Sequence, residues 1–242
     1  MKLTWLRPSD AFPSLNEQTY YDTEVPGLVA ASDTISVDQL IRAYQGGIFP
    51  WYSEEQPVLW WSPDPRMVLI PSELKISKNL AKKIRQILRD PDWEIRVNTD
   101  FINTIMSCAN QNRAGQNGTW ITHAVLQAYS ELHQQGLAHS VETYYQNQCV
   151  GGLYCVNLGK MVYGESMFAK VTDASKLALA ALCAWCIAQD IGMIDCQQET
   201  EHLKSLGGRP IPRHDFLSHL AQNCGKDRIH WDFNKAIFKH WG

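Results

Sequence analysis

Between His139 and Phe168 the sequence switches to a period of two. The runs HSVETYYQ, QCVGGLYCVNL and KMVYGESMF are separated by the turn signals QNQ and NLGK. Alternation sends successive side chains to opposite faces, so three such runs predict a three-stranded antiparallel meander. From Asp173 to about Asp190 the chain is apolar nearly all round, as in a buried helix, and Gly192 ends it. A strand MIDCQ follows, then helices over 199–206 and from Pro212 to about Gln222. Strands, buried helix, strand and helices predict an α+β or α/β domain with the long helix against the sheet.

The N-terminal third reads differently. Residues 1–35 look irregular, broken by Pro8, Pro13, Pro26 and Gly27. Ser36 caps a short helix, VDQLIRAY, that stops at Gly46-Gly47. The stretch FPWYSEEQPVLWWSPDPR (49–66) then gathers three of the nine tryptophans among prolines. That composition suits either a stapled core loop or a preformed platform for flat apolar ligands. Met67 to Ile70 is a short strand, and a domain boundary falls near Pro65. Helices are expected over 101–110 and 122–135.

The segment KISKNLAKKIRQILR (75–89) is an amphipathic helix. At 100° per residue Lys75, Lys78, Lys82, Arg85 and Arg89 share an arc of about 80°, with Ile76, Leu80, Ile84, Ile87 and Leu88 opposite. A solvated face and a polyanion-binding face both fit, since charge runs are usually the former. The net charge of -3 offers nucleic acid no general attraction. An odd count of seven cysteines, with no signal peptide, points to reduced thiols in a cytoplasmic protein. The longest apolar run, Leu177 to Ala188, is too short to span a bilayer.

Chemical motifs are sparse. Cys183 and Cys186 form a C-x-x-C in mid-helix without a second ligand pair, so core thiols are expected, not a metal site. No glycine pair belongs to a P-loop or G-x-G-x-x-G motif. GESMF (164–168) lacks the second glycine of a nucleophile elbow. Alternation puts Tyr163, Glu165 and Met167 on one strand face. Asp195 and Gln197 share a face of MIDCQ, with Ile194 and Cys196 on the other. A carboxylate beside an amide can orient a nucleophile, or can simply finish a strand end.

With the Trp/Pro stretch, GTWIT (118–122), GESMF (164–168) and IDCQ (194–197) in order, the chain closely resembles the bacterial leucyl/phenylalanyl-tRNA–protein transferases from about Gly27 to Phe216. The resemblance implies a small N-terminal domain (1–65) and an acetyltransferase-like (GNAT-like) N-acyltransferase domain (66–242) with a mostly antiparallel sheet. It implies transfer of Leu or Phe, and sometimes Met, from aminoacyl-tRNA to proteins beginning with Arg or Lys, which marks them for degradation. No metal or other cofactor is implied, because an aminoacyl ester is already activated. The CoA loop of ordinary acetyltransferases is missing after Phe168.

By the same resemblance Asp195 and Gln197 are the catalytic pair. Trp51 and Trp120 hold the 3′-terminal adenosine; Trp60 and Trp61 receive no such assignment and read as core. Glu165 holds either the terminal ribose or the cationic acceptor residue. Leu153, Tyr163, Met167, Leu182 and Ile194 form the aminoacyl pocket, Leu182 replacing a family phenylalanine. Lys78, Lys82 and Arg85 meet tRNA phosphates. A monomer is expected. The rival readings are another N-acyltransferase on this fold and a non-catalytic tRNA-binding protein. The segment after Arg228 has no assignment.

Overall fold

The computed structural model describes residues 3–15, 25–111 and 121–241. A small sheet is built from β1 (Thr4–Leu6), β2 (Leu28–Ser32), β3 (Phe49–Pro50) and β4 (Val58–Trp61), in the order β1-β2-β4-β3. Irregular structure before Ser36 was the expectation, and β1 and β2 correct it. Pro8, Pro13, Pro26 and Gly27 all lie outside the two strands, so they delimit strands without forbidding them. Between β2 and β3 runs α1 (Val37–Gln45), with Ser36 accepting the Gln39 N–H as its N-cap.

The larger sheet comprises β5 (Arg66–Leu69), β6 (Trp93–Val97), β7 (Ala138–Tyr145), β8 (Gln148–Leu158), β9 (Met161–Ala169), β10 (Ile194–Gln197) and β11 (Arg209–Ile211). Their order is β11-β5-β10-β9-β8-β7-β6, and only the β9–β10 contact is parallel. The meander is β7–β8–β9. Its first turn puts Gln146 and Asn147 at φ 48° and 62°, the positive values that a two-residue hairpin favours.

The helices are α2 (Lys78–Arg89), α3 (Phe101–Ala109), α4 (His123–Gln134), α5 (Ala174–Ala188), α6 (Glu201–Ser205) and α7 (Arg213–Asn223). Asp100, Thr122 and Thr200 cap α3, α4 and α6 through their side chains. The basic helix begins three residues later than its periodicity suggests. Ser77 accepts the Leu80 N–H and starts α2 there, leaving Lys75 outside. Asp173 precedes α5 in a left-handed conformation (φ 66°), and its carboxylate pairs with Lys176 instead of capping.

Two apolar clusters form on the two faces of the larger sheet. One contains α5, the apolar side of α2 and residues from Trp231 to Phe238. The other joins α3, α4, α7, α1 and the small sheet. Leu177, Leu182 and Trp185 of α5 are almost completely buried, each contributing about 1.5–3 kcal/mol by leaving water. The unassigned C-terminal segment belongs to the α5 side. Trp231 lies between His139 and Trp185 at 4.1 Å from each ring, and Lys235 Nζ donates to the Asp90 carbonyl at the end of α2.

Candidate functional site

β9 and β10 pair at only two positions, Ile194 with Val162 and Asp195 with Tyr163. Beyond these both strands are irregular. Gly164 and Ser166 of β9 face consecutive residues of β8, so Glu165 is an extra, bulged residue. On β10, Asp195 and Gln197 face consecutive residues of β5, Cys196 is the extra one, and Gln197 takes φ 64°. Bulges re-aim side chains and end pairing. Here they bring Gln197 Nε2 to 3.0 Å from Glu165 Oε1.

The bulge also corrects the face assignment made for β9. Alternation cannot run through an extra residue, so Tyr163 and Met167 fall on opposite faces. Tyr163 packs on the α3/α4 side and donates its hydroxyl to the Tyr44 carbonyl, whereas Met167 packs on the α5 side. The expected pocket therefore divides. Leu153, Leu182 and Ile194 lie with Met167, and Tyr163 does not.

Glu165 is half-buried and has three donors. Tyr44 Oη lies 2.6 Å from Oε1, Tyr129 Oη lies 3.2 Å from Oε2, and Gln197 supplies the third. The two tyrosine hydroxyls are also within hydrogen-bonding reach of one another, and since each has one proton to give, that contact competes with donation to Glu165. Burial pushes the Glu165 carboxyl up to about 7, although the hydrogen bonds from Tyr44, Gln197 and Tyr129 pull the other way. Burial, then the charge of Glu165, drives both tyrosines well above their ordinary value, so they remain donors. Nothing in the sequence marks Tyr44 or Tyr129 as functional. Both look like ordinary inward positions of α1 and α4, and no spacing rule connects residues 85 apart.

Asp195 is fully buried and its carboxylate is already occupied. Arg66 Nε donates to Oδ1 at 2.8 Å and Nη2 to Oδ2 at 2.7 Å, and the Gln197 N–H also reaches Oδ1 at 2.9 Å. This ion pair was likewise missed. A signal existed: Arg66 is a charged residue opening the otherwise apolar strand RMVL. Gln197 Nε2 is taken by Glu165, which leaves its Oε1 without a partner among the described residues. The arrangement presents an amide acceptor beside a carboxylate that titrates near neutrality.

Trp51 lies on the rim of the small sheet with 37% of its surface exposed, and Trp61 packs on it edge-to-face at 5.8 Å. Trp61 Nε1 donates to the Trp51 carbonyl. Of the two tryptophans expected to be core, Trp60 is fully buried, while Trp61 is only partly buried and braces Trp51. Trp120 lies outside the described residues. Tyr52 Oη is 3.4 Å from Thr122 Oγ1, so the Trp51 loop adjoins the start of α4. On the expectation that Trp51 stacks on a terminal adenosine, Trp51→Ala should weaken binding of an aminoacyl-adenosine by about 1–3 kcal/mol, the worth of one stacked base. Titration against Trp fluorescence checks this, and unchanged affinity in a folded variant would make Trp51 ordinary packing.

Lys78, Lys82 and Arg85 are exposed on α2, and Lys82, Arg85, Gln86, Arg89 and Asp90 line a surface groove of about 450 Å³. This face belongs to the α5 side of the molecule and does not join the Glu165 cluster. Cys183 and Cys186 are buried free thiols. Among the described residues, no helix is long and apolar enough to cross a membrane.

Comparison with known proteins bears on the whole chain. The profile described as leucyl/phenylalanyl-tRNA protein transferase matches residues 68–221, and that of the same enzyme's N-terminal domain matches 33–64. The leucyl/phenylalanyl-tRNA–protein transferase of Cupriavidus taiwanensis is 55% identical over 99% of this chain and 96% of its own. That of Ralstonia pickettii is 53% identical over 99% and 97%. Among solved structures, L-PGS from Bacillus licheniformis aligns at a TM-score of 0.42 and 9% identity, over 82% of this chain and 73% of that one. A GCN5-related N-acetyltransferase from Kribbella flavida aligns at 0.33 and 10%, over 69% and 58%. The chain belongs to the leucyl/phenylalanyl-tRNA–protein transferase family.

Proposed function

We propose that this enzyme transfers Leu or Phe, and sometimes Met, from aminoacyl-tRNA to the α-amino group of proteins that begin with Arg or Lys. Family membership supports the reaction class. The observation that carries the chemistry is the meeting of Gln197 and Glu165 where β9 and β10 part.

The acceptor's α-amine donates a hydrogen bond to Gln197 Oε1, which aims its lone pair at the ester carbonyl. As the C–N bond forms, the nitrogen's proton passes to ionised Glu165. A carboxylate titrating near 7 suits an amine of pKa about 7.7–8.0. Collapse of the tetrahedral intermediate breaks the ester C–O bond, and Glu165 returns the proton to the departing ribose oxygen. Tyr44 and Tyr129 hold the carboxylate by donating to it. Asp195 positions Gln197 and does not itself touch the amine. The remaining barrier is lowered by holding ester and amine in register.

Leu153, Met167, Leu182 and Ile194 take the aminoacyl side chain, and Trp51 with Trp120 takes the terminal adenine. Lys78, Lys82 and Arg85 contact phosphates, giving affinity without sequence information. Replacing all three with Ala is expected to raise KM for aminoacyl-tRNA and reduce its salt slope by about one per lost contact. Turnover at saturating tRNA should survive, and an unchanged slope would return α2 to a solvated face. The free thiols fit work in the cytoplasm, a monomer suffices for the site, and the change of sheet between Trp61 and Arg66 supports domains of 1–65 and 66–242.

The test is incubation with radiolabelled Leu-tRNA and a protein beginning with Arg, beside the same protein beginning with Met. Label incorporated into the first alone is the expected result. Label in neither, with the charged tRNA still bound, would favour a tRNA-binding protein.

A further inference from the structure

We infer that Arg66 is a positioning residue for the proposed transfer, tying the Trp51 loop to the turn that presents Gln197. The inference rests on that reading of the reaction.

Arg66 is completely buried, and its guanidinium lies between two rings, 4.7 Å from the Phe49 centroid and 4.5 Å from that of Phe216. Its fork is divided between two parts of the site. Nε and Nη2 hold Asp195, whose Oδ1 in turn holds the Gln197 N–H at the left-handed turn. Nη1 donates to the Gly47 carbonyl at 3.0 Å, four residues before Trp51. Gly47 has φ +74°, and a Cβ there would meet Leu217 Cδ2 at 2.6 Å, so the loop runs close against α7 where it accepts from Arg66. The path Gly47–Arg66–Asp195–Gln197 is continuous, and Phe49 packs on the cation within the same loop.

Stability alone does not account for such a pair. Buried ion pairs are frequently replaceable by apolar residues without loss. What an apolar pair cannot supply is an acceptor for the Gln197 N–H or a donor for Gly47. The guanidinium's rigid fork meets three acceptors on two chain segments at once.

Two double variants isolate this role. Arg66→Met with Asp195→Leu removes the charges and the acceptor. Arg66→Gln with Asp195→Asn removes the charges but keeps an amide oxygen for Gln197. Melting temperature, kcat with Leu-tRNA and KM for leucyl-adenosine are measured against wild-type enzyme, whose own transfer of label establishes the underlying reaction. Among folded variants, kcat of the apolar pair is expected to be at least tenfold below that of the amide pair. KM for leucyl-adenosine should rise in both, because neither reaches Gly47. Equal kcat in the two would overturn the inference, whether both match wild type (packing only) or both are inactive (the carboxylate charge itself at work).

Should a double variant fail to fold, Arg66→Lys carries the test, since it keeps the charge but not the fork. A tenfold or greater fall in kcat at wild-type melting temperature supports the inference. Wild-type kinetics overturn it.

Discussion

Glu165→Gln is expected to lower kcat by about 10²-fold or more, the range for a positioned acid–base group. Divided by the neutral fraction of the acceptor amine, wild-type kcat should climb with pH through about 7 and level off above it, because only the ionised carboxylate can take the amine's proton. The variant should lose that limb entirely. Stability moves in the opposite sense. Burial raises the folded carboxyl from 4.5 to about 7, so the folded state binds this proton more tightly than the unfolded chain does. The resulting stabilisation is complete below pH 4.5 and is lost as pH rises through 7. Glu165→Gln should therefore raise the melting temperature at pH 8 more than at pH 5. Paired pH–rate and pH–melting profiles check both halves. A variant that kept the wild-type kcat limb would remove Glu165 from proton transfer and leave that task to the tRNA's ribose hydroxyl.

Gln197→Ala is expected to reduce kcat by on the order of 10²-fold while changing KM for aminoacyl-tRNA little, since its amide acts on the attacking amine. Folding should be nearly intact. The side chain is only partly buried, and Ala bears the left-handed backbone no worse than Gln does. Single-turnover rates at saturating acceptor and donor separate the two parameters. Normal turnover in this variant would mean that the amine needs no acceptor at Gln197 Oε1.

These two residues also mark where reading the sequence stopped. Alternation in three consecutive runs was enough to give β7, β8 and β9, and a helix apolar on every side could only be the buried α5. Such elements are local, and their periods are written in neighbouring residues. A bulge is not. MVYGESMF counts as an unbroken alternating run, and only pairing with β8 exposes Glu165 as an extra residue and sends Met167 to the other face. Tyr44, Tyr129 and Arg66 are brought to Glu165 and Asp195 from positions 36 to 129 residues away. Nothing short-range connects them. Alternation paired Asp195 with Gln197 and the resemblance gave the pair its catalytic role, but neither showed that Arg66 saturates the carboxylate. The C-terminal run IHWDFNKAIFKHWG has no clean period because its aromatic rings fill separate gaps over α5 and α2.

The divided faces of the large sheet have one more consequence. Glu165 and its hydroxyl donors lie on the α3/α4 side, while Leu153, Met167, Leu182 and Ile194 lie on the α5 side. On the proposed assignment of the pocket, an aminoacyl group that offers its carbonyl to the first and its side chain to the second would thread the sheet where the β9–β10 pairing ends. Its Cβ then passes between two backbones, each anchored to the next strand by ladder hydrogen bonds. A branch at Cγ meets side chains that can repack, whereas a branch at Cβ meets main chain that cannot. Leu182→Ala should accordingly admit longer unbranched residues, yet still refuse Ile and Val in competition with Leu. If Ile-tRNA became a good donor for that variant, side-chain volume and not the gap would be the filter. Otherwise the doorway is cut in the backbone, beyond the reach of changes beneath the sheet.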